Sequence, residues 1–244
     1  MHKKEVKPYD DQNTSKKQEV TKMFDRIAPI YDFLNGLLSL GIDSIWRRKA
    51  IKKLADNPPK TLIDIATGTA DLALEAKKQL HCEKIVGLDI SSKMIELAKK
   101  KIQKKGLEAS MSFEVGDSEN LRFEDGSFEA VTAAFGVRNF GNLEAGLQEM
   151  YRILSTNGRM VILEFSRPTI FPFKQMFNVY FKYILPFIGK ITSKDPKAYK
   201  YLYESVQIFP DYEAFADILK QIGFTNISWK PLSLGICTIY YAEK

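Results

Sequence analysis

Between Thr61 and Phe165 short apolar runs alternate with longer stretches of helical spacing, and this rhythm constrains the fold more than any other feature of the chain. Thr61–Ala66, Lys84–Asp89, Met111–Val115, Phe128–Phe135 and Arg159–Phe165 read as strands, and Asp71–Leu80, Ser92–Lys105 and Leu143–Leu154 as helices. A strand, a crossover and a further strand, repeated, specify a parallel sheet with helices on both faces. The tail departs from that rhythm. After an expected helix at Tyr212–Ile222, strands at Thr225–Lys230 and Ile236–Ala242 are separated only by Pro231–Gly235, which predicts an antiparallel hairpin at the sheet edge.

The flanking segments divide the chain. Residues 1–17 are polar, with Pro8 and no apolar period, and are expected to form a flexible basic arm. Residues 18–57 show helical apolar spacing at Val20, Met23, Phe24 and Ile27, then a second helical piece at Ile45–Leu54 that stops before Pro58-Pro59. They read as a helical N-terminal cap on a domain spanning 58–244, which carries a lid-like insertion at about 168–205. The insertion is aromatic and sparsely basic, and Lys174, Lys182 and Lys190 break its richest apolar stretch, Phe171–Ile191. No run reaches the roughly 18 uncharged apolar residues of a membrane span.

Charge and residue counts narrow the function classes. Thirty-six Lys and Arg against thirty Asp and Glu leave a net charge of +6. Much of the excess sits at Lys99, Lys100, Lys101, Lys104 and Lys105, which reads as a solvated helix face. That run lacks the interleaved aromatics that nucleic-acid binding uses for stacking, so no nucleic-acid partner is expected. Cys82 and Cys237 lie far apart, and His2 and His81 are too few for a zinc site or a histidine-based triad, so no metal is expected. The N-terminus has no apolar h-region and carries early acids, which points to a cytoplasmic location.

The chemistry concentrates at the first crossover. Leu62-Ile63-Asp64-Ile65-Ala66-Thr67-Gly68-Thr69-Ala70-Asp71 is a strand, a tight small-residue turn and a helix start, where open α/β sheets bind ligands. Asp89 closes the second strand, placed to accept hydrogen bonds from both hydroxyls of a ribose. A dinucleotide and S-adenosylmethionine both fit those two features. In a dinucleotide fingerprint, however, the third glycine would fall at Asp71, whose carboxylate would repel a pyrophosphate at that helix start. S-adenosylmethionine has no phosphate and carries two cationic centres, so Asp64 and Asp71 suit it; Asp71 also reads as a plain N-cap. Asp117 and Ser118 close the third strand, with Asp117 placed to accept the exocyclic amine of adenine. Three acids at three consecutive strand ends favour a methyltransferase over a dehydrogenase.

With these features in place, the chain from about Phe24 onward resembles the class I S-adenosylmethionine methyltransferases of the UbiE/MenG type. The resemblance rests on Tyr31-Asp32-Phe33-Leu34-Asn35 with Ser39 and Trp46, on Phe135-Gly136-Val137-Arg138-Asn139, and on Met150-Tyr151-Arg152-Ile153-Leu154. Leu163-Glu164-Phe165-Ser166 and Tyr199-Lys200-Tyr201-Leu202 with Glu204-Ser205 extend it. Asp43 stands where that family commonly has His, and Thr156-Asn157-Gly158 replaces Pro-Gly-Gly. The resemblance implies a Rossmann-like fold with a seven-stranded, mostly parallel sheet and a C-terminal antiparallel hairpin. It implies S-adenosylmethionine as cofactor, held near Gly68 and Thr69, at Asp89, and at Asp117 with Ser118. It also implies C-methylation of a polyprenylated quinol, demethylmenaquinol first and the ubiquinone-pathway benzoquinol second.

Carbon methylation needs a ring made nucleophilic by loss of a phenolic proton, so a charge-stabilising group should sit beside the ring. Arg138 and Asn139, at the end of the fourth strand, are the catalytic candidates; Arg138 equally reads as the partner of Glu164. Tyr31 and Glu164 are weaker candidates. A tailed quinol would be drawn from a membrane, so residues 168–191 are either a membrane-facing segment at the inner face or a lid packed on the core. Two other functions are consistent with these features: methylation of another hydrophobic acceptor, or cofactor binding without catalysis. Oligomeric state is open, a homo-oligomer included.

Overall fold

The computed structural model describes residues 6–32, 36, 39, 41–184 and 195–244. Residues 1–5 of the arm, Phe33–Asn35, Leu37, Leu38 and Leu40 of the cap, and 185–194 of the insertion, including Phe187 and Lys190, lie outside them. Seven strands form one sheet in the order β3-β2-β1-β4-β5-β7-β6. They are β1 (Thr61–Ile65), β2 (Lys84–Asp89), β3 (Met111–Val115), β4 (Phe128–Ala134), β5 (Leu154–Phe165), β6 (Thr225–Leu232) and β7 (Cys237–Glu243). β1 to β5 run parallel, while β7 pairs antiparallel with both β5 and β6. The expected hairpin is present, and β7 inserts between β5 and β6 so that β6 forms the edge.

Chain order departs from β1 in both directions, towards β2 and β3 on one side and β4 and β5 on the other. Such a reversal opens a crevice beyond the carboxyl ends of the two central strands, because their crossovers leave to opposite faces. Helices α3 (Asp71–Leu80), α4 (Ser92–Gln103) and α5 (Leu143–Ile153) supply the crossovers. Ser91 and Asn142 cap α4 and α5 with their side chains. Apolar layers pack on both faces, one around Leu62, Ile85 and Leu163, the other around Ile63, Val131 and Tyr240. β5 starts five residues earlier than its apolar core suggests, because Leu154 pairs with Phe128 ahead of an irregularity opposite Arg159.

A third cluster holds the cap and the insertion together. Helix α1 (Lys16–Ile27) is opened by a capping box between Ser15 and Gln18. Its Val20 and Met23 pack with Phe177 and Phe181 of the insertion and with Tyr199, Tyr201 and Val206. Those last residues belong to α7 (Pro196–Ile208); α2 (Ile42–Ile51), α6 (Phe173–Val179) and α8 (Glu213–Ile222) complete the helices used below. Where it is described, the arm touches folded neighbours. The Tyr9 backbone N–H donates to Glu19 and its hydroxyl to Asp195, while the Lys16 ammonium donates to the Phe140 carbonyl at 2.6 Å. These contacts are polar and local to folded neighbours, so a polar composition alone misses them.

Candidate active site

The turn after β1 is built for close approach. Ala66 and Ala70 both take positive φ, as does Gly68 at 56°, so the backbone folds back over the end of the sheet. Across the crevice Gly136 follows β4, and a Cβ there would lie 2.4 Å from the Ala66 Cβ. Small residues on both strand ends keep the crevice open between β1 and β4.

Around it lies a first cavity of about 640 Å³, continuous with solvent. Gly68, Asp89, Asp117 and Ser118 all line it, so four of the five residues expected at the cofactor come together. Asp89 accepts the Gly68 N–H at 2.8 Å and the Ser91 N–H at 2.9 Å, which fixes its carboxylate at the strand end. Burial raises its pKa to about 6, against the two backbone donors that lower it. Asp64, wholly buried behind the turn, is likewise raised to about 6 although the Thr67 and Thr132 hydroxyls bond it at 2.6 and 2.7 Å.

Thr69 is the exception. Its side chain does not line this cavity: the hydroxyl donates to Asp32 at 2.5 Å and accepts from Lys101 at 3.0 Å. Asp71 turns the same way, pairing with Lys101 at 2.7 Å. It is also not the N-cap of α3, since Ala70 holds that position in a left-handed conformation with no side-chain cap. Lys101 thus leaves the solvated face on which its neighbours stay exposed, and ties α4 to the cap through Asp32 at 2.8 Å.

Helix α1 covers the cavity with Lys17, Val20 and Phe24. Lys17 sets its ammonium 2.6 Å from Asp117 and 3.2 Å from Glu119. Nothing in the polar arm signalled this contact, which only the packing of α1 creates.

A second cavity, of about 1740 Å³ with its solvent-open mouth included, lies on the other side of α1. Its walls are apolar and aromatic: Met23 and Ile27 from α1, Trp46 from α2, Phe135 and Phe165 at strand ends, and Phe177 and Phe181 from the insertion. Phe24, Tyr31, Phe135 and Asn139 line both cavities and form the junction between them. Asn139 donates weakly to the Phe135 carbonyl at 3.3 Å, while its Oδ1 is buried without a partner among the described residues. Asp43, where family resemblance expected His, pairs with Arg47 at 2.5 Å and accepts from Ser39 at 2.7 Å.

Arg138 faces the second cavity and meets Glu164 at 2.7 Å, with side chains 7% and 0% exposed. Both readings of this residue therefore hold geometrically: it lines the cavity and it is paired. Glu164 also accepts the backbone N–H of Phe165 at 2.9 Å and of Arg138 at 3.3 Å. Burial raises the Glu164 pKa, with the Arg138 charge pulling against it. Arg138 Nε has no partner among the described residues, and the guanidinium lies 5.3 Å from the Phe165 ring centre.

This sheet order, with a small-residue turn after β1 and acids closing β2 and β3, defines the class I S-adenosylmethionine-dependent methyltransferase fold. Solved structures agree on the fold. A [4+2]-cyclase, SpnF, superposes with a TM-score of 0.70 at 15% identity, covering 93% of this chain and 96% of that one. A Thermotoga maritima S-adenosylmethionine-dependent methyltransferase, described as a possible histamine N-methyltransferase, gives 0.66 at 18% identity, covering 92% and 99%. A cyclase among them shows why fold alone does not assign chemistry. The sequence is more specific: residues 12–244 match the ubiE/COQ5 methyltransferase family, and the chain belongs to it. Demethylmenaquinone methyltransferase of Bacteroides fragilis is 46% identical over 98% of this chain and 97% of that protein. A Geotalea uraniireducens ubiquinone/menaquinone biosynthesis C-methyltransferase, UbiE, is 46% identical over 95% and 98%.

Proposed function

We propose that this methyltransferase moves the methyl group of S-adenosylmethionine to a ring carbon of demethylmenaquinol, giving menaquinol. The observation that carries the reading is the junction: an acid-lined cavity and a large aromatic cavity share Phe24, Tyr31, Phe135 and Asn139. The first suits the cofactor. Asp89, Asp117 and Glu119 outnumber Lys17 in its lining, a donor set that favours a cationic ligand over a pyrophosphate. Asp89 would take the ribose hydroxyls, and Asp117 with Ser118 the adenine edge. When bound there, S-adenosylmethionine supplies an electrophilic methyl group, which leaves alignment as the protein's main contribution.

The second cavity suits a ring with an isoprenoid chain. At the junction the Asn139 Oδ1 accepts a ring hydroxyl, which fixes the neighbouring carbon towards the first cavity. Arg138 faces the same oxygen and stabilises the charge left when the hydroxyl proton passes to solvent at the open first cavity, lowering a phenol pKa that starts near 10. Once the methyl group has bonded to the ring carbon and its bond to sulfur has broken, the proton on that carbon leaves to solvent and restores the aromatic ring. Glu164 holds Arg138 in place from behind. Substrate access follows the rim. Ile42, Met176 and Leu234 line the cavity while staying 38, 62 and 54% exposed, and Phe171 nearby in sequence is 76% exposed beside Lys174. This apolar rim with its lysines would meet an anionic bilayer that holds the tail. No helix of the described residues is long and apolar enough to cross one.

Methyl transfer from radiolabelled S-adenosylmethionine to a reduced demethylmenaquinone analogue tests the reading, with a demethyl benzoquinol alongside. Label in the naphthoquinol supports it. Label only in the benzoquinol transfers the reading to the ubiquinone-pathway substrate, and label in neither, with cofactor binding intact, overturns it.

A further inference from the structure

Among the described residues of the aromatic cavity's wall, Tyr199 carries a polar group to which the mechanism above gives no task. Tyr199 lies on α7, is 5% exposed, and packs in the cluster that joins α1 to the insertion. It lines the cavity, and its hydroxyl has no hydrogen-bond partner among the described residues. Buried hydroxyls are nearly always satisfied, so an unpaired one on a residue that lines a cavity is a donor or acceptor in reserve for what fills the cavity.

Other polar residues of the wall are committed elsewhere. Ser233 accepts from the Trp46 indole at 2.9 Å, and Ser39, Asp43 and Arg47 bond one another. Arg138 Nε and Asn139 Oδ1 share with Tyr199 both the cavity and the want of a partner. α7, which carries Tyr199, packs against the single turn Val137–Asn139 that carries the other two, and all three residues line the same cavity.

A quinol presents two ring oxygens at opposite ends of one ring. Resting on the substrate reading above, Arg138 and Asn139 take the oxygen beside the acceptor carbon. The opposite oxygen is stripped of water by the same apolar walls and needs a partner of its own. We infer that Tyr199 is that partner: a substrate-positioning residue whose hydroxyl bonds the ring oxygen remote from the acceptor carbon. It makes the site select a dihydroxy ring and fixes the rotation of that ring in its own plane, so that one carbon faces the methyl group. A monohydroxy ring leaves the Tyr199 hydroxyl stranded and binds with free rotation.

The test couples a protein change to a substrate change. Tyr199→Phe removes one oxygen and keeps the ring, and two acceptors are compared. One is the prenylated naphthoquinol. The other is the matching naphthalene that keeps the hydroxyl beside the acceptor carbon and lacks the opposite one. The inference expects Tyr199→Phe to lower kcat/KM for the quinol by about tenfold, the order of one neutral hydrogen bond. Wild type should lose a similar factor on the monohydroxy ring, where wild type and variant should agree within about twofold. Cofactor affinity should be unchanged, and the variant should melt no lower than wild type because an unbonded hydroxyl has been removed. Equal kcat/KM of variant and wild type on the quinol overturns the assignment. So does the same loss on both acceptors, or a lowered melting temperature, since either marks a structural role. A wild-type enzyme inert towards the quinol is a separate result, and it overturns the substrate reading on which the inference rests.

Discussion

Replacing Glu164 with Gln gives a result that separates support from chemistry. Gln keeps one oxygen, so only one of the Phe165 N–H on Oε1 and the Arg138 N–H on Oε2 retains its acceptor, and the charge opposite a guanidinium only 7% exposed is removed. Breaking a buried pair from one side costs about 3–5 kcal/mol, because the remaining charge stays desolvated. Set against a total stability of roughly 5–15 kcal/mol, that is a large share. Urea unfolding should therefore show a lower midpoint at unchanged slope. The double variant Arg138→Met/Glu164→Gln removes both charges and should regain more than half of the lost stability. It should not regain turnover, since Arg138 is the group proposed to stabilise the ring oxygen. Two results refute this reasoning. One is a loss of less than about 1 kcal/mol for Glu164→Gln, which would mean the pair is solvated. The other is near-normal turnover in the double variant, which would remove Arg138 from the chemistry.

Three further predictions follow from the geometry. Cofactor affinity, measured by calorimetry, should fall as pH drops through about 6, where Asp89 becomes protonated, and Asp89→Asn should flatten that profile. In the free protein the sign is opposite. The folded pKa of Asp89 lies above its ordinary value of 3.8, so its contribution to stability is greatest below that value and is lost by about pH 6. Stability of wild type relative to Asp89→Asn should accordingly decline across that window by up to about 3 kcal/mol. Thr69→Ala should leave cofactor affinity within about threefold, because the hydroxyl serves Asp32 and Lys101, and a hundredfold loss would contradict its placement. Met176→Glu with Leu234→Glu should abolish flotation with phosphatidylglycerol vesicles while leaving turnover of a short-tailed quinol intact. Unchanged flotation would remove the rim from membrane contact.

Most of the sheet was legible because its strands are short apolar runs between clear punctuation. β2 and β3 start and end at the predicted residues, and β1 and β4 fall one residue short of the predicted ends. What escaped reading was tertiary. The start of β5 is set by pairing with β4 across polar Thr156 and Asn157, which carry no strand signal. Asp89, Asp117, Ser118 and Gly68 were readable as strand-end and turn residues, and they line one cavity. Thr69 has the same credentials in sequence but points the other way, because the left-handed Ala70 rotates the chain into α3. Lys17 over Asp117 has no local signature, and Tyr199, though it stands in a segment that carries the family resemblance, gives no sign of lining a cavity, because both placements depend on how α1 and α7 pack. The buried Arg138–Glu164 pair was foreseeable from adjacent strand ends, yet its full burial was not, since that needs the insertion and cap in place.

The acid-lined and aromatic cavities meeting at Asn139 imply that the methyl group goes to carbon, with the hydroxyl beside it held aside as the activating group. Carbon-13 NMR of the product formed from S-adenosylmethionine labelled at the methyl group reads this directly. A labelled signal at an aryl-methyl shift, with both ring oxygens free, is the predicted result. A signal at a methoxy shift would mean that an oxygen, and not the carbon, faces the junction, and would contradict the assignment of Asn139 and Arg138 to that oxygen.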